Sequence, residues 1–510
     1  MPLKPIVLQG EQKRVLFLPV TEPIQIKGVA GSGKTTVALY RAKHLLDTQS
    51  NLFQEAKVAI FTYNKTLVKY IKAITPFISG GYQKDSEEIQ PINPQGLKVN
   101  IDNFHRWAFH FLRANGIDIF GKTILANGQI AIIETLKTKY QSLGSNITNK
   151  KSEFLLEEIS WIKGKVFQSK ENYLDAKRTG RGTADRVNRS DKEIIWKIYF
   201  DYNDTLKSKN LVDFDDYALL SLNVINSNPN FQPPFTHIIV DEAQDLNKAQ
   251  IIVISKIVSN TTKSISIIAD AAQRIYKSGF TWSEVGMNVR GARTIEFKKN
   301  YRNTVHIAKA ALSLLDKESD KSEFTIVESA RKGEHKPVVG YFNNWNDQCA
   351  FLLGELSNLG AANQINSTVI LHRNHAGMRN VKSFLESKTL QVAELRNSDD
   401  IDFDSNAIHL CTLSSIKGLE FDNVFIIDLN DDLVPYPPGF NDDQDEFHIS
   451  TERRLLYTAM TRTRERLYLL SSGTPSRYLS EIDEKLVERR GMQKTAGNFT
   501  VDDVAEDLPF

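Results

Sequence analysis

Gly28-Val29-Ala30-Gly31-Ser32-Gly33-Lys34-Thr35 fits the pattern G-x-x-x-x-G-K-[ST]. A short extended run, Ile24-Gln25-Ile26, leads into it. A helical pattern follows, with Ala38, Ala42, Leu45 and Leu46 at i, i+4, i+7 and i+8. Strand, glycine loop and helix in that order form a phosphate cradle. Gly28, Gly31 and Gly33 let backbone N–H groups approach closely, Ser32 lies among them, and the helix N-terminus adds partial positive charge. Lys34 has the reach for β- and γ-phosphates, and the Thr35 hydroxyl suits Mg²⁺. The expected ligands are therefore a nucleoside triphosphate and Mg²⁺.

The 510 residues are too many for one core, so roughly two to four domains are expected. A net charge of +2 averages over patches of both signs. Two cysteines, Cys349 and Cys411, exclude a disulfide framework and a cysteine zinc site, and they suit a reducing compartment. No apolar run reaches the roughly 18 residues of a membrane span, and the N-terminus has no signal-peptide pattern. The expectation is a cytoplasmic protein with no membrane partner.

Upstream of the loop, Gln12 carries an amide that can read adenine by donating and accepting together. Downstream, Val58-Ala59-Ile60-Phe61-Thr62-Tyr63 reads as a buried strand running into Asn64-Lys65 and a helix. Leu97-Lys98-Val99-Asn100-Ile101 alternates as a half-buried strand, and Asn103-Phe104-His105 opens an aromatic helix. From 114 to 211 helical periodicity dominates. Residues 163 to 189 hold eight Lys/Arg against three Asp/Glu, interleaved with Trp161, Phe167 and Tyr173, a composition suited to tracking a nucleic-acid strand or to a solvated face. This reads as a helical insertion that closes with Asp213-Phe214-Asp215-Asp216.

His237-Ile238-Ile239-Val240 is a strand ending in Asp241-Glu242-Ala243-Gln244-Asp245. Acids at the C-terminal end of a parallel strand sit at the ligand edge of the sheet. Asp241 suits Mg²⁺ and Glu242 suits polarising water. After the strand from 264 to 269, Gln273 is placed to sense a γ-phosphate, and Phe280 and Trp282 are ring candidates for stacking on bases. A second α/β pattern follows from about 294, with strand-like runs at 294–297, 337–342, 367–372, 407–412, 424–429 and 466–471 and no second phosphate loop.

GVAGSGKT, VDEAQD, ADAAQRIY, NYRNT, KGLEF and ERRLLYTAMTR, in this order, resemble a superfamily 1 DNA helicase of the UvrD/Rep-like group, from Leu8 to about Leu470. The resemblance implies an α/β fold of two RecA-like P-loop NTPase domains, each a parallel sheet flanked by helices, with a helical insertion in the first. The boundaries expected are 1–113 and 212–292 for the first domain, 114–211 for the insertion, 293–483 for the second domain and 484–510 for a polar, acidic tail. The resemblance places Tyr301 on the adenine ring and Glu420 on ribose. It places Gln273, Arg302 and Arg462 at the γ-phosphate. It places single-stranded or tailed DNA along Tyr63, Asn64, Lys65, His105, Tyr276, Phe280, Trp282, Arg373, Thr412 and Ser414. Three positions depart from the family: Thr36 stands where a basic residue beside adenine is usual, Ser278 replaces a tryptophan, and Ser414 replaces a histidine.

From Arg302 to Lys417 the chain advances only 115 positions, too few for the large mobile subdomain such helicases insert there. The implied activity is ATP-driven translocation or unwinding with 3′-to-5′ polarity, in repair, recombination or phage defence, alone or with a nuclease or other partner. The competing reading is a nucleotide-gated sensor ATPase within a complex; RNA unwinding is a third. The end, Val501-Asp502-Asp503-Val504-Ala505-Glu506-Asp507-Leu508-Pro509-Phe510, has four acids, no base and an apolar Leu-Pro-Phe terminus. It resembles the acidic tip of bacterial single-stranded DNA-binding proteins and suggests a partner with a tip pocket.

Overall fold

The computed structural model describes residues 7–50, 55–62, 65–79, 82–85, 88–91, 97–144, 146–176, 187–270, 272, 280–289, 291–318, 327, 329–365, 367–395, 407–436, 446–491, 493–495 and 498–500. Buried, β-branched runs form its strands. Val58–Thr62 and His237–Val240 are buried at every position, as strands covered by helices on both faces must be.

The first sheet has six strands in the order Asn100–Asn103, Val58–Thr62, His237–Val240, Ser264–Ala269, Ile24–Gly28, Thr294–Phe297. All neighbours are parallel. Parallel strands in register end on one edge. The loop after Gly28, the acids after Val240 and Asp270 after Ala269 therefore converge. The strand Thr294–Phe297 corrects the expected boundary. It pairs with Ile24–Gly28, so the first sheet extends past residue 292.

Between residues 115 and 211 lie the helices Ala126–Tyr140, Ser152–Lys165, Lys170–Asp175 and Arg189–Ser208. They close on their own core, which includes Ile133, Leu155, Ile159, Trp161, Tyr173, Ile195 and Tyr202. Trp161 and Tyr173 are thus core rings, and Lys163 is no surface cation. Its ammonium is buried, 2.7 Å from Asp213 and 2.6 Å from Asp216. Arg189 pairs with Asp175 and Lys170 with Glu193. The described part of the basic stretch is a packed, ion-paired helical unit rather than a stacking platform; residues 177–186 lie outside the described residues.

The second sheet has seven parallel strands in the order Val392–Glu394, Ile408–Thr412, Thr368–His372, Phe421–Ile426, Thr463–Ser471, Val338–Tyr341, Glu488–Gly491. The last of these lies beyond residue 483, in what the sequence reading took for tail. Its backbone pairs with Val338–Tyr341, so the domain runs to Gly491. Residues 501–510 lie outside the described residues. Between Arg302 and Lys417 the described elements are four strands of this sheet (Val338–Tyr341, Thr368–His372, Val392–Glu394 and Ile408–Thr412), the end of the strand Lys299–Thr304, the strand Ser329–Arg331, and the helices Val305–Leu314, Trp345–Ala361 and His375–Ser387. No helix among the described residues is long and apolar enough to cross a membrane.

The two domains share one apolar cluster, which includes Leu67 of the first and Leu413, Ile416 and Leu419 of the second. Gly418 has φ +88°, and a Cβ there would stand 2.7 Å from Leu67 Cδ1, so glycine permits the contact.

Candidate active site

The helix Lys34–Gln49 begins directly after Gly33, which caps it in the left-handed region. Gly31 and Gly33 have φ of +75° and +78°. A Cβ on Gly31 would lie 2.1 Å from Asn300 Oδ1, and one on Gly33 would lie 2.3 Å from Gln12 Nε2. Both glycines thus serve the turn and a close neighbour. Gln12 Nε2 donates to the Ser32 carbonyl (2.7 Å), and Oε1 accepts from Gln9 N–H (2.8 Å), so the amide expected at adenine braces the loop. Lys34 Nζ turns inward, donating to the carbonyls of Gly28 (2.9 Å) and Val29 (3.0 Å) and to Asp270 (3.1 Å). Ser32 Oγ is buried with no hydrogen-bond partner among the described residues, an orphaned donor inside the loop.

Thr35 Oγ1 donates to Asp241 Oδ2 at 2.9 Å. Burial, then the charge of Glu242, pushes Asp241 up to about 6. Glu242 is held at φ +55°. Burial would raise it, but Lys417, Lys34 and Arg462 outweigh burial and hold it near 2. Gln244 Nε2 donates to its Oε2 at 2.5 Å. The result is a buried acid kept ionised next to one pushed toward neutrality.

The opposite wall comes from the second domain and the seam before it. Asn300 Oδ1 accepts from the N–H groups of Arg302 and Asn303, fixing the turn that presents Arg302. Arg302 Nη2 pairs with Glu420 at 2.6 Å, Nη1 donates to Thr461 O at 3.3 Å, and Nε is buried with no hydrogen-bond partner among the described residues. Arg462 Nε donates to Thr458 O at 3.0 Å; burial and the charge of Arg302 lower it to about 10. Within the same run, Arg453 and Arg454 are committed to Glu318, and Arg453 also to Glu481. Lys417 Nζ crosses the cleft to Asp245 (2.5 Å) and Glu242 (3.4 Å).

Gly31, Gly33, Lys34, Thr35, Thr36, Glu242, Arg302, Glu420 and Arg462 line one cleft, whose open volume is about 30 Å³. The cleft is filled by its own ion pairs. Tyr301 lies beside it, its hydroxyl 3.0 Å from where a Gly10 Cβ would be. Tyr70 also lines the cleft, and no sequence signal marked it. Asp245, Asp270 and Lys417 were each quoted inside a motif, yet only their contacts assign them to the site. Gln273, Tyr276, Tyr63 and Asn64 lie outside the described residues, as does the side chain of Lys65.

The expected strand-binding residues that are described belong to different elements of the two domains. Thr412 Oγ1 meets Ser414 (3.3 Å) and Ser415 (2.9 Å), and Ser414 is exposed. Phe280 and Trp282 meet edge to face at 5.4 Å and pack half-buried on the first-domain core. His105 packs among Phe104, Phe214 and Tyr217, and burial lowers it to about 4, leaving it neutral. Arg373 makes a bidentate pair with Glu452 (2.8 and 2.7 Å) and lies over Tyr436. Two of its five donors are held by Glu452.

Two parallel-sheet α/β domains meeting at a phosphate-loop cleft define the class: a pair of RecA-like helicase domains. The family model for the UvrD/REP helicase N-terminal domain matches residues 8–284, and that for the UvrD-like helicase C-terminal domain matches 295–393 and 375–473. The chain belongs to the UvrD/REP helicase family. It is similar to ATP-dependent DNA helicase PcrA of Leuconostoc citreum, with 24% identity over 71% of this chain and 46% of that one. It is similar to UvrD1 of Mycobacterium leprae (23%, covering 71% and 46%) and to DNA helicase II of Haemophilus influenzae (25%, covering 74% and 50%). The chain spans about half the length of these relatives.

Proposed function

We propose that this chain hydrolyses ATP to move along single-stranded DNA, with 3′-to-5′ polarity, in repair, recombination or defence against phage. One observation carries the reading: the phosphate loop and Glu242 face Arg302 and Arg462 across a single cleft. A phosphoryl-transfer transition state needs charge neutralised from both sides. Arginines supplied by the second domain make closure depend on ATP and opening depend on hydrolysis.

The residues fit the ligands. Thr35 and Asp241 would hold Mg²⁺, an ion that takes few protein ligands beside phosphate and water, and that supplies charge neutralisation at the phosphate oxygens. Lys34, now held by loop carbonyls, and Ser32 Oγ, now orphaned, turn to phosphate. Arg302 leaves Glu420 for the γ-phosphate, which frees Glu420 for ribose. Glu242, already ionised, accepts the proton of the attacking water. The pairs Lys34–Asp270 and Arg302–Glu420 thus stand in for nucleotide contacts.

The test is the ATP turnover rate with no nucleic acid, single-stranded DNA, single-stranded RNA and duplex, followed by strand displacement on tailed duplexes. Stimulation by single-stranded DNA with displacement of a 3′-tailed duplex is expected. Turnover indifferent to any strand would refute translocation.

A further inference from the structure

A second cavity, of about 720 Å³, opens at the C-terminal ends of the strands Thr368–His372 and Phe421–Ile426, away from the ATP cleft. Its floor is the buried pair His372 Nε2–Asp428 Oδ2 (3.3 Å). Asp428 also accepts from Gln348 Nε2 (2.8 Å) and Ser472 Oγ (2.5 Å), so its charge is spent. Gly377 keeps the helix His375–Ser387 tight on that floor; a Cβ there would fall 1.9 Å from His372 Cε1. Trp345 and Phe384 form an aromatic wall, edge to face at 5.4 Å and 75°. Asn380 and Ser383, exposed on the helix, add an amide and a hydroxyl that both donate and accept.

Among the described residues no Lys or Arg lines this cavity, so it does not suit phosphate. Its one carboxylate is satisfied, so it does not suit a cation either. Rings with neutral two-way hydrogen-bonding groups suit a flat, uncharged heterocycle. The adjacent strand of the sheet ends at Thr412, next to the exposed Ser414, and Asn374 of the cavity follows Arg373 directly.

We propose that this cavity is a nucleobase subsite, where a base leaves the stack of its neighbours and lies against Trp345 with its edge toward Asn380 and Ser383. As a subsite for a bound strand, the proposal rests on the DNA reading above; as a nucleoside site, it stands without it.

The experiment measures full-chain affinity for a labelled 16-nucleotide DNA strand and for the same strand with its central bases removed. Trp345→Ala and Asn380→Leu are compared with wild type. Asn380→Leu changes only an exposed position of its helix while obstructing the cavity. Wild type is expected to prefer the base-bearing strand, and both variants to narrow that preference by about tenfold, the loss of one base stack. Affinity for the abasic strand and turnover without DNA are expected to hold. A preference unchanged in both variants, or an equal loss on both strands, overturns the subsite. If wild type binds neither strand, translocation fails, and titration with adenosine decides the cavity. Saturable binding lost in Trp345→Ala supports it, and no saturable binding overturns it.

Discussion

Lys417 of the second domain places its Nζ 2.5 Å from Asp245 Oδ2 of the first. One ammonium is shared by two buried carboxylates, Asp245 and Glu242. Burial and the charge of Glu242 push Asp245 up to about 7 even against Lys417, while Glu242 stays ionised. Lys417 lies three residues past Ser414, so the strand-side loop and the hydrolytic acid are joined by one short segment.

Lys417→Met takes from buried Asp245 its ammonium partner and leaves Glu242 to Lys34 and Arg462 alone, and should destabilise the chain by about 3 kcal/mol or more. The folded value of Glu242, near 2, lies below the ordinary carboxylate value. Its pairing therefore contributes stability that is full above about pH 4.3 and is lost as pH falls toward 2. Denaturant unfolding from pH 3 to 7 should show that acid loss in wild type and a smaller loss in Lys417→Met.

Asp215 accepts a hydrogen bond from Ser160 Oγ at 2.6 Å. Burial, then the charge of Asp213, pushes it up to about 7. Below about pH 3.9 it is protonated in the folded and unfolded chain alike; between there and about 7 the unfolded chain ionises first, so stability falls as pH rises. Asp215→Asn removes that loss. It should match wild type near pH 4 and exceed it by about 1–3 kcal/mol at pH 8 in urea unfolding.

Gly31→Ala meets both a φ of +75° and Asn300 Oδ1 at 2.1 Å, whereas Gly116→Ala meets a φ of +82° with open space around it. Gly116→Ala should cost about 1–2 kcal/mol from backbone strain alone. Gly31→Ala should cost more than that and also weaken ATP binding, read by titration with a fluorescent ATP analogue. Equal costs would mean that the loop is not braced against Asn300.

What the sequence made legible is what it carries in consecutive residues. The loop from Gly28 to Thr35, the acids after Val240 and most strands of the two sheets follow from local spacing and apolar runs, but the edge strands Val392–Glu394 and Glu488–Gly491 do not. Pairings between distant segments were not legible. Lys163 counts as one more surface cation until Asp213 and Asp216 bury it. Arg302 and Glu420 are readable as ligand contacts, but not as partners of each other. Thr294–Phe297 has the pattern of any strand, and only its pairing with Ile24–Gly28 assigns it to the first sheet.

The central claim is that charge from both walls of the cleft is required for hydrolysis. The most direct test is single-stranded-DNA-stimulated ATP turnover, with ATP affinity measured in parallel, for Lys34→Ala, Arg302→Ala and Arg462→Ala. Lys34→Ala should abolish turnover. Each arginine variant should lose about 10³-fold or more while ATP affinity falls far less. Near-normal turnover in either arginine variant would contradict the account.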